Sequence, residues 1–463
     1  MKFVVLNGSP KGDISVTMGY IRFIEANFKQ HEFKYINVAQ LINKIEKDSQ
    51  LYDSIIHDIK NCDGVIWAFP LYVFTAHSNY QRFIDLVFER GVQPAFAGKY
   101  AFALTTSIHF YDHTATNYIN AVCDDLDMVF VDYFSPKMYD IENQQTRQNI
   151  INFMQHFIDC IKDKVTFSKN YYQVKYIPVD YTPLQTKTKI DTKNKNIVIV
   201  AEHLENNNVN NMVYKFKDCF TQNVELLTIA DFGIKGGCLG CMKCGYDYSC
   251  VYEGKDGYTK IYNEKLKTAD IIIFAGTIKN RYLSSDFKRF LDRAFFNTHT
   301  PSLSGKQIGF ILSGALSQNA NLRQIFDAFV QWQQSNLVAF ITDEVQTSEL
   351  LDSQLEALAQ NAVKLSDLTY IKPVNFLGVA GTKIFRDDIY GDIRFPFVAD
   401  YKAYKASGIF DFPHKKYISR IRNSIFALMV KIPSFRKEIY NNQILPSMVQ
   451  PFQKYIHQKR DLD

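Results

Sequence analysis

Short apolar runs alternate with amphipathic stretches along the first 130 residues of the chain. Each run has the length of a buried strand, and each amphipathic stretch has the period of a helix that packs one face on a core. The pattern predicts strands at 2–6, 33–38, 64–69 and 100–106, and helices at 16–27, 49–61, 83–87 and about 115–126. Strands that alternate with helices favour a parallel sheet covered by helices on both faces.

The second half of the chain repeats the first. Residues 62–89 align with 269–296 without a gap at an offset of 207, whereas the opening strands align at an offset of 194. The difference of 13 residues equals the length of the segment from Cys238 to Cys250. We therefore predict two copies of one domain, with this segment as an insertion in the second copy.

The alternation and the repeat together predict an α/β protein with two tandem doubly wound parallel sheets, each in a three-layer α/β/α architecture. The predicted first domain is 1–167 and the second is 196–370, joined by a linker at 168–195 that is rich in Lys, Thr and Tyr. Residues 371–463 form a predicted helical extension that is basic and dense in aromatic side chains.

Composition and charge narrow the class of protein. The 463 residues are 46% hydrophobic and 22% charged, with no apolar run of membrane-spanning length and no secretory signal, so we expect a globular cytoplasmic protein. From residue 372 onward the chain has 16 Lys/Arg against 8 Asp/Glu, and before it 37 against 40. We therefore expect no nucleic-acid binding, and a basic tail that could contact a partner or a membrane surface.

Four of the eight cysteines fall within thirteen residues. They are Cys238, Cys241, Cys244 and Cys250, spaced Cys-x2-Cys-x2-Cys-x5-Cys. Four thiolates, three of them closely spaced, favour a [4Fe–4S] cluster. A structural zinc site, a dithiol switch and a loop of unligated cysteines remain alternatives, although zinc ligands usually come as two separated pairs.

The loops that follow the strands of the first copy carry candidate binding residues, because doubly wound sheets bind ligands beyond the carboxyl ends of their strands. The first loop offers hydroxyl groups, amides at a helix N-terminus and a cation, which would suit the phosphate of a mononucleotide such as FMN. Its candidates are Ser9, Pro10, Lys11, Ser15 and Thr17. The second loop offers Pro70, Leu71, Tyr72 and Val73 for a flat ring, and the third offers Thr106 and Ser107 for the ring edge. The alternative is that all three are ordinary turns.

The second copy lacks these features. Its first loop has Glu202 and Glu205 where a phosphate would lie, and these carboxylates would repel an anionic ligand. Residues 277–279 replace the Pro-Leu-Tyr sequence of the second loop, and the first copy has no cysteine segment. We predict flavin binding in the first domain and metal binding in the second.

These motifs resemble those of a known group. Asn-Gly-Ser-Pro-Lys-Gly from Asn7 and Phe-Pro-Leu-Tyr at 69–72 resemble the FMN-binding loops of the flavodoxin-like NAD(P)H-dependent FMN reductases. The cysteine segment, with Asp256 and 287–292, is similar to the iron–sulfur flavoproteins. The resemblance implies flavodoxin-like folds, FMN and a [4Fe–4S] cluster as cofactors, NAD(P)H as reductant, and pairing that lets the centres exchange electrons. It implies no dedicated acid–base residue, because the flavin itself accepts hydride.

The resulting hypothesis is an NAD(P)H-dependent flavin oxidoreductase in which FMN in the first domain exchanges electrons with a cluster in the second. The two domains would form an internal pseudo-dimer that could dimerise further, and a small molecule or protein would carry the electrons onward. One alternative is a non-catalytic scaffold with structural zinc. Another is a flavin or quinone reductase whose metal site only stabilises a loop.

Overall fold

A computed structural model describes residues 1–186, 188–203, 208–222 and 224–456. The first domain contains β1 (Lys2–Asn7), α1 (Val16–Asn27), β2 (Glu32–Ile36), α2 (Val38–Lys47), α3 (Ser49–Lys60), β3 (Gly64–Pro70), α4 (Ser78–Glu89), β4 (Tyr100–Thr106), α5 (Asp112–Asp125), β5 (Val129–Phe134) and α6 (Gln144–Lys162). The second contains β6 (Ile197–Ala201), α7 (Asn208–Asp218), β7 (Glu225–Thr228), α8 (Tyr258–Ile261), β8 (Ile271–Lys279), β9 (Tyr282–Leu283), α9 (Ser285–Arg293), β10 (Gln307–Ser313), α10 (Ala320–Trp332), β11 (Asn336–Thr342) and α11 (Ser348–Asp367). Five helices follow: α12 (Phe376–Tyr390), α13 (Val398–Ala406), α14 (Tyr417–Met429), α15 (Pro433–Glu438) and α16 (Ile444–Ile456).

Each domain is built on a parallel sheet with the same strand order. The first sheet runs β2-β1-β3-β4-β5, and the second runs β7-β6-β8-β10-β11 with the short β9 antiparallel to β8. This 2-1-3-4-5 order is that of flavodoxin. The predicted fold class, two tandem flavodoxin-like domains with a helical C-terminal extension, is confirmed.

The strands are continuous apolar runs because helices cover both faces of each sheet. In β1 every residue from Phe3 to Asn7 is buried. Phe3 packs in one cluster with Ile21 of α1 and Phe157 of α6, on one face of the sheet. Each sheet thus holds its loops at the carboxyl edge on a rigid base.

The repeat extends to the backbone conformation of single turn residues. Five pairs of residues at the offset of 207 have a left-handed backbone in both domains. The pairs are Val73 and Asn280, Phe74 and Arg281, Gly91 and Thr298, Gly98 and Gly305, and Asp127 and Gln334. The two copies therefore share turn geometry where their side chains differ.

The two domains contact each other through equivalent elements. Helix α4 packs on α9, which occupies the same place in the second copy. The backbone N–H of Ser78 donates to Asp292 (2.8 Å), and the N–H of Ser285 donates to Asp85 (3.3 Å), so the same bond is made in both directions. Such reciprocity is the mark of an approximate two-fold relation.

The chain divides into a compact unit from Met1 to Ala403 and a second unit that begins at Tyr404. The first unit contains both sheets and α12. Its final residues are tied to the second domain by Asp400, a buried carboxylate that bonds to His299 Nδ1 (2.8 Å) and Thr300 Oγ1 (2.7 Å). Across the described parts of the chain, no helix is long and apolar enough to cross a membrane.

Candidate functional site

The first loop of the first domain is held close to the sheet. The N–H of Ser9 donates to Asn7 Oδ1 (3.0 Å), and the N–H of Lys11 donates to Ser9 Oγ (3.2 Å). Gly8 lies so close to the core that a Cβ there would be 2.7 Å from Phe69 Cβ, so a larger residue would displace the loop. Ser9 is buried, Pro10 is half-buried and Lys11 is exposed.

Ser15 ends this loop and caps the helix behind it. Its extended backbone and its Oγ, which accepts the N–H of Met18 at 3.2 Å, make it the N-cap of α1. The positive end of α1 is therefore placed beside the loop that carries Lys11, as an anion site requires.

The three predicted loops meet at one edge of the sheet. Thr17 Oγ1 and Thr106 Oγ1 lie 2.6 Å apart, which joins the first loop to the third. The N–H of Leu71 donates to Thr106 O (3.1 Å), and Pro70 pairs with Thr106 in the strand register, so the second loop also joins the third. Ser107 follows directly and is half-buried. The sequence-predicted flavin residues are brought together by these bonds.

The second loop, which we call the ring loop (residues 70–75), contains a strained turn. Tyr72 and Thr75 exchange two backbone hydrogen bonds of 2.8 and 3.0 Å around Val73 and Phe74, whose φ angles are 34° and 68°. A β-branched residue such as Val73 rarely adopts a left-handed backbone. Phe74 is buried against Tyr111, with ring centroids 4.8 Å apart, and this packing holds the turn. Strain of this kind is concentrated at functional sites.

The cysteine loop (residues 236–252) lies between β7 and α8. Cys241 is exposed, Cys244 is buried, and Cys238 and Cys250 are half-buried; all four line one small cavity. Burial raises the pKa of Cys238 and of Cys244 to about 12, which favours their neutral thiol form. Among the described residues, no three His, Cys, Asp or Glu side chains are grouped to hold a single metal ion.

A buried arginine fixes the base of the cysteine loop. Arg293 of α9 donates to Asp256 through both terminal nitrogens (2.7 and 3.1 Å) and to Gly236 O (3.1 Å). Its guanidinium also lies 4.3 Å from the centre of the Tyr252 ring. One side chain therefore joins both ends of the loop, and a bidentate pair of this kind also fixes orientation.

The cysteine loop of the second domain packs on the flavin loops of the first. A Cβ on Gly240 would lie 2.3 Å from Tyr72 Oη and 3.1 Å from Lys11 Cε. His77 Nε2 lies 2.8 Å from Cys238 O, within hydrogen-bonding distance. The two candidate sites, one from each domain, are in direct contact.

A buried ion pair lies behind this contact. Lys288 and Asp292 are fully buried and bonded to each other. Lys288 Nζ also donates to Tyr72 O (2.9 Å), and Asp292 accepts the N–H of Ser78. Lys288 thus holds the ring loop, and Asp292 the start of α4, from the opposite domain. Sequence reasoning missed Lys288; the available signal was that Gln81, at the same place in the first copy, is uncharged.

The corresponding edge of the second domain is differently filled. Glu202 takes the place of Gly8, since its N–H donates to Ala275 O (2.9 Å) as that of Gly8 donates to Ala68 O (2.7 Å). The Glu202 carboxylate is buried and accepts the N–H of Thr277 (3.1 Å), and burial raises its pKa. The other predicted carboxylate, Glu205, lies outside the described residues.

One family model matches residues in both domains. The model of the NADPH-dependent FMN reductase family matches residues 1–135 and 194–346, which is more than half of the chain. The chain belongs to the NADPH-dependent FMN reductase family. This FMN reductase family membership confirms the predicted NAD(P)H-dependent FMN oxidoreductase, and with it FMN and NAD(P)H as the cofactor and reductant. It does not assign an iron–sulfur cluster to the cysteine loop.

Solved structures similar to the chain each cover about a third of it. FerB, a flavoenzyme NAD(P)H:(acceptor) oxidoreductase from Paracoccus denitrificans, is 17% identical and covers 35% of this chain and 97% of its own, with a TM-score of 0.31. An NADH:FMN oxidoreductase (EMOB) in apo form is 20% identical and covers 34% and 87%, with a TM-score of 0.29. General stress protein 14 from Treponema denticola, in complex with FMN, is 11% identical and covers 35% and 98%, with a TM-score of 0.26. No curated protein matches the chain.

Proposed function

We propose that FMN bound by the first domain exchanges electrons with a [4Fe–4S] cluster held by the cysteine loop of the second. The observation that carries this proposal is the contact of Gly240 with Tyr72 and Lys11, which brings a cysteine-lined cavity against the candidate flavin loops. Electrons would enter from NAD(P)H, and a small molecule or a protein would exchange them with the cluster.

The residues of the first domain fit FMN. Lys11, the Ser15-capped N-terminus of α1 and the hydroxyl groups of Ser9 and Thr17 would hold the phosphate. The ring loop would hold the isoalloxazine ring, with Thr106 and Ser107 at its edge. Bound FMN accepts hydride and passes electrons on, and the protein positions it. What this chain contributes is the anion site, the fixed turn at Val73, and a second domain that covers the ring loop.

The spacing of the cysteines supports a cluster more than zinc. Structural zinc ligands usually come as two separated pairs, whereas Cys238, Cys241 and Cys244 follow one another at intervals of three residues. All four cysteines of the loop line one cavity. Cys238, Cys241, Cys244 and Cys250 are the proposed ligands.

Cofactor analysis of anaerobically purified protein tests the proposal. We expect about one FMN and about four iron and four sulfide per chain, the content of one cluster and one flavin. Full reduction by NAD(P)H should bleach the flavin absorbance and also the broad absorbance of the cluster. Flavin without iron and sulfide would reject the cluster, and a colourless protein loaded with zinc would favour the scaffold alternative.

A further inference from the structure

The unit that begins at Tyr404 leaves the apolar faces of its helices in solvent. Helices α14 and α15 contain no buried residue. The large hydrophobic side chains that are more than half exposed on α14 and α16 include Tyr417, Ile418, Ile421, Ile425, Leu428, Leu445, Met448, Val449 and Phe452. A helix of a soluble domain normally packs such a stripe on a core. These exposed stripes, with the Lys and Arg residues around them, are called the tail surface below.

The stripe of α14 is regular. Ile418, Ile421, Ile425 and Leu428 follow one another at intervals of three or four residues, which places them on one side of the helix. Together with Phe426 and Met429, the three isoleucines border a shallow hollow that is almost wholly apolar. The surface of α14 is therefore shallow and apolar, whereas the central side chains of a protein partner usually enter deep pockets.

The charge around this stripe has one sign. Residues 412–456 contain eight Lys/Arg and a single acidic residue, Glu438. Lys415 and Lys416 precede α14, and Arg422 lies at the border of the apolar hollow. Long basic side chains can lie along an apolar surface while their charged ends reach its rim. A binding partner that matches the tail surface would therefore be apolar in the middle and anionic around it.

We propose that the tail surface binds the anionic face of a lipid bilayer, with α14 and α16 lying in the plane of the interface. Isoleucine, leucine and phenylalanine side chains would enter the boundary between headgroups and acyl chains, and Lys and Arg would meet the anionic headgroups. The proposal does not depend on the flavin or on the cluster.

Vesicle sedimentation of the full-length protein tests this proposal. We expect binding to vesicles of equal parts phosphatidylglycerol and phosphatidylcholine, and binding about tenfold weaker to phosphatidylcholine alone. Salt at about 0.5 M should release the protein, because it screens charges beyond a few ångströms. Absence of binding to the mixed vesicles, or equal binding to both, would overturn the proposal.

Variants test whether the tail surface binds lipid or instead forms an interface between copies of the chain. Ile421→Asp with Ile425→Asp should lower binding to the mixed vesicles about tenfold, and Arg420→Glu with Arg422→Glu should do the same. Ile177→Asp is the matched control, since Ile177 is 83% exposed but lies in the linker. Circular dichroism of each variant checks that it is folded. Self-association of the wild type that the isoleucine variant abolishes, without vesicle binding, would instead identify an interface between copies and overturn the proposal.

Discussion

The turn after the third strand is the same in both domains, but it serves different purposes. In the first domain, Val73 and Phe74 form the turn of the ring loop; in the second, Asn280 and Arg281 form it between β8 and β9. Asparagine tolerates the left-handed backbone that valine resists. The turn of the second copy therefore has less backbone strain, and the more strained turn is the one beside the proposed flavin site.

The side chains at these turns show where each copy has changed. Phe74 is buried among aromatic rings, whereas Arg281 donates two hydrogen bonds of 2.7 and 2.6 Å to Asp125 of the first domain. Gln81 and Lys288 also occupy equivalent positions, but only Lys288 places a buried cation there. The same backbone turn therefore carries an aromatic contact in the first copy and an ion pair in the second.

Removing a cysteine should have the largest effect. Cys250→Ser should abolish the cluster and electron transfer to a one-electron acceptor, while FMN remains bound and is still reduced by NAD(P)H. Iron analysis and stopped-flow absorbance measure both. The control is Cys219→Ser, since Cys219 is buried in the core of the second domain outside the loop. Transfer that persists in Cys250→Ser would show that the metal site only stabilises a loop.

Reversing charge in the first loop should remove FMN and spare the cluster. Ser9→Asp with Lys11→Glu puts two carboxylates in the loop before α1 and should weaken FMN binding about 100-fold, or about 2.7 kcal/mol. Fluorescence titration of the apoprotein measures the affinity. Lys29→Glu, an exposed change in the same domain, should leave it unaltered. If the double variant retains its FMN, the phosphate assignment is wrong.

Breaking the arginine pair should loosen the contact of the domains. Arg281→Ala leaves Asp125 partly buried without its cation and should lower the free energy of unfolding by about 2 kcal/mol, measured by urea denaturation. Lys189→Ala removes an exposed pair with Asp218 and should cost less than about 0.5 kcal/mol. Equal losses in the two variants would contradict a stabilising role for the Arg281 pair.

Adding one methyl group should separate the two candidate centres. Gly240→Ala places a Cβ 2.3 Å from Tyr72 Oη and should slow reduction of the cluster by flavin about tenfold, with unchanged iron and FMN content. Gly254→Ala is a close control, because Gly254 has a similar left-handed backbone (φ 72° against 61°) and nothing within 4 Å of the added atom. Rates that fall equally in both variants would point to backbone strain instead of the contact.

Exchanging the turn residues should have the smallest effect, with opposite signs in the two copies. Val73→Asn relieves a left-handed valine and should stabilise the protein by about 1 kcal/mol. Asn280→Val should destabilise it by at least as much, because it also removes the hydrogen bond from Asn280 Nδ2 to the buried Asp85 (2.9 Å). Thermal unfolding monitored by circular dichroism measures both. A stabilising Asn280→Val would refute the proposed difference in strain.

Sequence periodicity was sufficient for the fold and for the grouping of the loops, because strand runs and turn residues are local signals. It missed α2, of which the strand prediction at 33–38 covered only Val38, and it named neither β5 nor α6. The N-cap residue of α2 is Asn37, whose side chain makes no capping bond. Its Oδ1 instead accepts a hydrogen bond from Asn7 Nδ2 (2.8 Å), so the side chain that usually marks the start of a helix is bonded to β1.

Contacts between the domains could not be predicted from local patterns. The position of Gly240 against Tyr72 depends on how two sheets pack, and residues at such a contact are distant in the chain. The same holds for Asp400, whose burial beside His299 brings residues of the extension onto the second domain. The residues that flank Asp400 in the sequence suggest only a surface helix.

The linker gives the reciprocal contact of α4 and α9 a further consequence. Two separate chains would associate only above their dissociation constant, whereas copies within one polypeptide meet at a fixed effective concentration, however dilute the protein is. In a symmetric dimer every mutation appears twice, once on each side. A fused pair escapes that constraint, so a substitution on one side of the contact leaves the other side unchanged.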